Sequence, residues 1–262
     1  MTENKKSCFL GNMSREIKIL YITVFLLFAS VVTLCFGVCR LYRQGNSSIF
    51  NEKISLWITN NPKAIIDSVN QYAEKQQSEQ REKHMDEVSE NIKKNREVIF
   101  DEKSAGVHNP GGQKTIVIFF DYNCGHCKNA SRAIDNVVKN DPNVRVIFKD
   151  LPIFGGASTL AAKYSVAVSM VEGRKFLDFH RALMNGSARD EKTIEDALVV
   201  AKISVEKIRK ILSSKSKEID ARLEDNMKLA GALGIEGTPA MIVGEQFIPG
   251  YINADKMRNI LK

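Results

Sequence analysis

The chain is poor in cysteine, with five in 262 residues. Three of them, Cys8, Cys35 and Cys39, lie near the N-terminal end, so only Cys124 and Cys127 belong to the remainder. A scaffold stapled by several disulfides is thereby excluded, because it needs more cysteines, spaced further apart. Histidine is scarcer still. Besides His126 there are His84, His108 and His180, with no HxxxH spacing and no second CxxC. A zinc knuckle on Cys124 and Cys127 would need two further ligands, and nothing in the pattern offers them. A basic excess away from the N-terminus is also missing. The net charge is +7, but six of the 38 Lys/Arg and two of the 31 Asp/Glu fall in the first 43 residues, leaving 32 against 29 beyond. The high isoelectric point is therefore no sign of a nucleic-acid partner.

One long stretch lacks charge altogether. Residues 19–39, ILYITVFLLFASVVTLCFGVC, are 21 uncharged residues. At about 1.5 Å of rise each they are long enough to cross a hydrocarbon core of roughly 30 Å. Lys5, Lys6, Arg15 and Lys18 precede the stretch and Arg40 and Arg43 follow it. This bias keeps the N-terminal end inside and exports the rest. The segment reads as an anchor in the inner membrane. The small-x-small pattern of Cys35, Phe36 and Gly37 leaves a long signal peptide as the alternative, which would release a soluble periplasmic protein. Neither Cys35 nor Cys39 follows a small residue, so a lipid-modified cysteine is a third and weaker reading.

Residues 1–43 thus form the anchor or signal, and residues 44–103 a helical extension that opens with a polar connection, QGNSS. Asn60 and Asn61 before Pro62 make a cap and a favoured first-turn proline. Ile65, Ile66, Val69 and Tyr72 recur at helical spacing, so one face should pack on something. Residues 74–84, EKQQSEQREKH, have no aliphatic or aromatic member, after which Met85, Val88, Ile92 and Ile99 restore a partial a/d rhythm. Two readings stand: a solvated spacer from the membrane, or an oligomerisation stalk whose apolar ends pair between chains. SAGVHNPGGQK, residues 104–114, is the linker, and the main domain follows over residues 104–262.

TIVIFFDY is a short apolar run that reads as a buried central strand. A helix beginning near Cys124 carries Ala130, Ala133, Ile134, Val137 and Val138, and VRVIFKD, residues 144–150, completes a βαβ unit. From Ser158 to about Gly234 the pattern is helical, with caps at Ser158 and Ser204 and breaks at Gly173 and NGSARD. AMIV, a Gly244-Glu245 turn and QFI then make a hairpin, and a final helix is capped by Asn253.

Cysteines two residues apart at a helix start are close enough for a small disulfide without much movement of the backbone. The first of them meets the unpaired N–H groups and positive end of the helix dipole, which stabilise a thiolate. Cys124 is the expected nucleophile and Cys127, one turn along and facing inward, the resolving thiol. Gly125 leaves the approach open, and a protonated His126 would stabilise the Cys124 thiolate and make the disulfide more oxidising. The cycle needs no cofactor. In EGTPA, residues 236–240, Pro239 opens an apolar strand where proline is unwelcome, which a cis Thr238–Pro239 bond would explain. Asp121 reads either as a proton acceptor for Cys127 or, preferably, as a turn former, and Phe120 and Tyr122 as core or groove lining.

FFDYNCGHCK, KDLPIFGGAS with FLDFHRALM, and GTPAMIVGEQFIPGY, in this order over about residues 107–262, resemble the thioredoxin-fold oxidoreductases of the DsbA type. The resemblance implies an α/β thioredoxin fold with a helical domain inserted at about 158–234. It also implies attacking and resolving roles for Cys124 and Cys127, and a cis Pro239 beside a Thr238 whose backbone pairs with an extended client. CGHC and Thr238 are similar to what isomerases of the superfamily carry. The N-terminal extension resembles that of ScsC-like, copper-tolerance-associated members and of Com1-like surface-antigen homologues. The implied partners are unfolded or misoxidised exported proteins, a membrane redox partner and further copies of the chain. A holdase whose cysteines only regulate client binding is the competing class.

Overall fold

The computed structural model describes residues 15–102, 106–186, 188 and 190–262, with the backbone alone at residues 44–48. Cys8, Lys5 and Lys6 lie outside the described residues. The chain divides into two compact units, residues 1–76 and 77–262.

In the first unit, helix α1 covers Arg15–Asn60. Its stretch Arg15–Arg43 is long and apolar enough to cross a membrane. The polar connection expected after Arg43 is not a break, because the helical backbone continues through residues 44–48. The single Gly45 there costs only about 1 kcal/mol relative to alanine, too little to end so long a helix. Helix α2, Pro62–Lys94, begins on Pro62 as its missing N–H favours. The Asn61 side chain does not cap it but donates back to the Trp57 carbonyl at 2.8 Å, closing the end of α1. Ile65, Ile66, Val69 and Tyr72 are exposed.

The second unit holds the C-terminal part of α2, the short helix α3 (Arg96–Ile99) and a five-stranded sheet. The strands are β1 (Gly106–His108), β2 (Lys114–Phe120), β3 (Val144–Asp150), β4 (Ala240–Val243) and β5 (Gln246–Pro249), in the order β1-β3-β2-β4-β5. β2 and β3 are parallel, connected by helix α4 (Gly125–Asn140), while every other pairing is antiparallel. Five helices follow β3: α5 (Gly156–Val171), α6 (Phe176–Asn185), α7 (Glu191–Val200), α8 (Val205–Ser214) and α9 (Ser216–Leu233). They are inserted between the βαβ half and the hairpin, and α10 (Ala254–Ile260) closes the chain. This is a thioredoxin-like fold with a mixed sheet and a helical insertion.

Three local expectations change. The stretch taken as linker contains β1, an edge strand too short to show alternation. Its Gly106 has no side chain because a Cβ would stand 2.2 Å from the Phe176 ring. Ser158 does not cap α5, which starts after Gly155. Its hydroxyl instead donates to Asp121 at 2.8 Å. Met85, Val88, Ile92 and Ile99 neither lie in solvent nor await another chain, since they pack in the core of this same unit. Ser204 and Asn253 do cap α8 and α10.

The sheet is buried on both sides, as continuous apolar strands require. Ile116, Ile118 and Phe120 of β2 face α4, α5, α6 and α10. Val117 and Phe119 face a second cluster formed by Val88 and Ile92 of α2, Ile99, and Leu229 and Leu233 of α9. Burying each such side chain contributes about 1.5–3 kcal/mol. Lys149, buried on this second side, donates to the carbonyls of Val98 at 3.2 Å and Asp101 at 3.5 Å, tying the segment after α2 to the sheet.

Candidate active site

Cys124 is the N-cap residue of α4, in extended conformation, and Cys127 lies in the first turn. The Cys127 N–H donates to the Cys124 carbonyl at 3.1 Å, so the two side chains project from one turn of backbone. Both are free thiols and both are buried, Cys124 with 4% of its surface left and Cys127 with none. Burial pushes the Cys127 thiol well up. The Asp121 backbone and the Thr238 hydroxyl oppose that shift, and the neighbouring Cys124 adds to it. Of the pair, Cys127 is the one built to keep its proton.

Thr238–Pro239 is a cis peptide bond. It stands beside the dithiol, and the Cys124 Sγ donates to the Thr238 carbonyl oxygen at 3.3 Å. Gly125 is open, with nothing within 4 Å of where a Cβ would lie. The His126 ring is exposed and stacks on Tyr251, with centroids 6.5 Å apart. Tyr251, against His126, and Ile153 and Phe154, whose N–H groups bond to Asp121, are exposed apolar side chains.

Asp121 holds the loop that delivers Cys124. Its Oδ1 accepts from the Asn123 N–H at 2.7 Å and the Ser158 hydroxyl at 2.8 Å, and its Oδ2 from the N–H groups of Ile153 at 2.8 Å and Phe154 at 3.2 Å. With both oxygens engaged, the turn-forming reading fits and the proton-acceptor reading loses its free lone pair toward Cys127. The Asn123 amide adds bonds to Ser158 at 3.1 Å and the Ala188 carbonyl at 3.2 Å, fastening the loop to the helical insertion.

Behind this loop runs a buried polar chain that the sequence did not disclose. Tyr122 donates to Ser165 at 3.1 Å, and Ser165 donates to Asp150 Oδ2 at 3.0 Å. The Tyr122 hydroxyl also lies 3.3 Å from His180 Nδ1. Asp150 Oδ1 and His180 Nε2 are buried with no hydrogen-bond partner among the described residues. Burial raises the Asp150 carboxyl well above its usual range and lowers the His180 imidazole to about 3. Both groups are held neutral because the apolar surroundings penalise either charge. Among the described residues no group of three His, Cys, Asp or Glu is placed to hold a metal ion.

Residues 115–262 match the family of the DSBA-like thioredoxin domain. Among solved structures, the thiol-disulfide exchange protein alpha-DsbA2 from Wolbachia pipientis is 28% identical over 66% of this chain and 94% of that one, with a TM-score of 0.62. The catalytic domain of Proteus mirabilis ScsC is 26% identical, covering 66% and 96%, with a TM-score of 0.57. A thioredoxin-like oxidoreductase from Silicibacter pomeroyi DSS-3 is 32% identical, covering 63% and 95%, with a TM-score of 0.57. No curated protein matches.

Proposed function

Because the chain belongs to the DSBA-like thioredoxin domain family, we propose that it is an exported thiol–disulfide oxidoreductase, forming or isomerising disulfides in proteins of the bacterial envelope through Cys124 and Cys127. The observation that carries the reading is the Cys124 thiol at the start of α4, against the Thr238 carbonyl, with exposed Tyr251 on the neighbouring His126 and exposed Ile153 and Phe154 bonded to Asp121 of the same loop. Such a rim suits apolar stretches of incompletely folded clients.

In isomerisation, the Cys124 thiolate attacks a client disulfide. One client sulfur becomes bonded to Cys124 and the other leaves as a thiolate that takes up a proton. That client thiol, or another, then attacks the mixed disulfide in a new pairing and regenerates Cys124, with no net oxidation. If the client is slow, Cys127 gives up its proton and attacks Cys124, releasing the client reduced and leaving the Cys124–Cys127 disulfide. In oxidation the same steps run backward, and a membrane redox partner must take two electrons from the reduced pair. Thr238 offers its backbone to the extended client beside Pro239. Gly125 keeps that approach open, and His126 tunes the pair.

The apolar residues 19–39, with the basic excess on their N-terminal side, support a periplasmic active unit, held at the inner membrane or released by cleavage. Exposed Ile65, Ile66, Val69 and Tyr72 support pairing of this helix between copies, which would set several dithiols around one client. The test is reactivation of a scrambled-disulfide protein by the full chain in detergent, with no added oxidant. Recovery that disappears in Cys124→Ser supports isomerase action. Failure on scrambled substrate with rapid oxidation of reduced substrate makes the protein a disulfide donor. Equal activity of Cys124→Ser in both assays sinks the enzymatic reading and leaves the holdase.

A further inference from the structure

Resting on the assignment of thiol–disulfide exchange to the Cys124–Pro239 site, we infer that α2 supplies one wall of the client groove, and that Arg81 on this wall selects client segments with a carboxylate near the reacting cysteine. A cavity of about 440 Å³ opens beside the cis bond. Thr238, Pro239 and Phe247 line it on the sheet side, and Arg81, His84 and Met85 on the other. It adjoins the dithiol through Thr238, which lines it and whose carbonyl also meets Cys124.

This wall is fixed rather than casually adjacent. Val88 and Ile92, one and two turns beyond His84, are buried with Leu229, Leu233 and Ile242. At Gly234, in the left-handed region at φ +72°, a Cβ would come within 3.3 Å of His84 and 3.5 Å of Val88. The helix therefore lies directly against the turn that leads into Thr238–Pro239. A client strand leaving Thr238 meets apolar Met85 and Phe247 and the Arg81 face of α2.

Charge decides what it prefers there. Arg81 is exposed, and its guanidinium donates to the Gln77 carbonyl at 3.4 Å and forms no ion pair among the described residues. Glu236, on the strand side of the same cavity, carries the opposite charge. The groove is thus polarised, positive on the α2 side, so an extended apolar segment with an aspartate or glutamate turned toward α2 is the matching occupant.

The test uses the full chain in detergent and single-cysteine peptides activated as pyridyl disulfides. Cys124 attacks the peptide sulfur, forming the protein–peptide disulfide and releasing pyridine-2-thione, whose absorbance gives the rate. Peptides of identical apolar sequence carry either Asp or Lys two residues from the cysteine, on each side in turn. The unsubstituted chain should react about fivefold faster with an Asp peptide than with its Lys twin, and Arg81→Glu should reverse the order. Uncharged 2,2′-dithiodipyridine, which does not extend into the groove, should react equally with both chains. Identical peptide preferences in the two chains, with the dithiodipyridine reaction intact, overturn the inference. If Cys124→Ser matches the unsubstituted chain on dithiodipyridine, it is the underlying assignment that fails.

Discussion

The Cys124 sulfur lies 3.3 Å from the Thr238 carbonyl oxygen although 114 residues separate the two. The antiparallel pairing of β2 with β4, which sets Phe119 opposite Ala240 and Ile118 opposite Met241, brings them together. The site therefore depends on joining the βαβ half to the terminal hairpin across the whole helical insertion. Neither half holds both a thiol and the Thr238–Pro239 backbone.

That arrangement gives the two cysteines unequal parts. Cys127→Ser should accumulate a covalent client adduct, visible as a reducible band on a non-reducing gel, because Cys124 can still attack but nothing resolves the product. Cys124→Ser should form no adduct and lose exchange activity by roughly 10³-fold or more. Adducts of equal yield from both variants would contradict the assignment of attacking and resolving thiols.

Asp121 should behave as a clamp. Asp121→Asn replaces one acceptor oxygen by an amide that cannot accept from two of its four donors. Thermal stability should fall by about 2–4 kcal/mol, since hydrogen bonds to a charged group contribute about 1.5–3 kcal/mol each. The pH profile of exchange should keep its shape while its amplitude drops. A displaced profile, measured by stopped-flow with a peptide disulfide, would instead make Asp121 the proton acceptor for Cys127.

The parts of this fold that were legible in the sequence are those with a local signature. Five consecutive apolar residues mark β2, Gly244-Glu245 marks the hairpin turn, and CGHC at a helix start marks the dithiol. Ser158 had the position of a cap but faces Asp121, because a serine hydroxyl serves a distant carboxylate as well as a nearby N–H. Val88, Ile92 and Ile99 showed an apolar face without showing what covers it, which is the underside of the same sheet. Tyr122, Asp150, Ser165 and His180 are polar types that ordinarily seek water. Only the fold reveals that they converge in its interior.

The buried Asp150 and His180 should impose opposite pH dependences. His180, depressed to about 3, stabilises the fold above its unfolded value of about 6.5, and that stability is lost as pH falls. Asp150, raised by burial, contributes stability that is complete below its unfolded value of about 3.9 and is lost as pH rises. Between these two values the slopes oppose each other. Relative to the unsubstituted chain, Asp150→Asn should lose up to about 1.4 kcal/mol per pH unit on acidification from 6.5 to 4, and His180→Phe should gain as much. Urea unfolding at three pH values measures both, and parallel curves for all three chains would rule out buried neutral groups at these positions.

Cys127 supplies the corresponding test at alkaline pH. Its thiol is pushed up chiefly by burial, so the folded chain keeps a proton that the unfolded chain gives up above about 8.5. The stability this provides is complete below about pH 8.5 and declines above it by about 1.4 kcal/mol per unit until the folded thiol titrates. Lys149, lowered to about 8, and Tyr122, raised by burial, also titrate differently on unfolding, and either would obscure the effect in a single chain. They cancel when Cys124→Ser is compared with Cys124→Ser/Cys127→Ala, because the two chains differ only at Cys127. Removing the Cys124 sulfur takes away a lesser upward contribution and leaves burial, the largest, in place. The stability difference between these chains, from urea unfolding between pH 8 and 10, should shrink steadily with pH in disfavour of the one that retains Cys127. A constant difference would mean that the buried thiol ionises as readily as a free one, and the proton-retaining role of Cys127 in the exchange cycle would have to be given up.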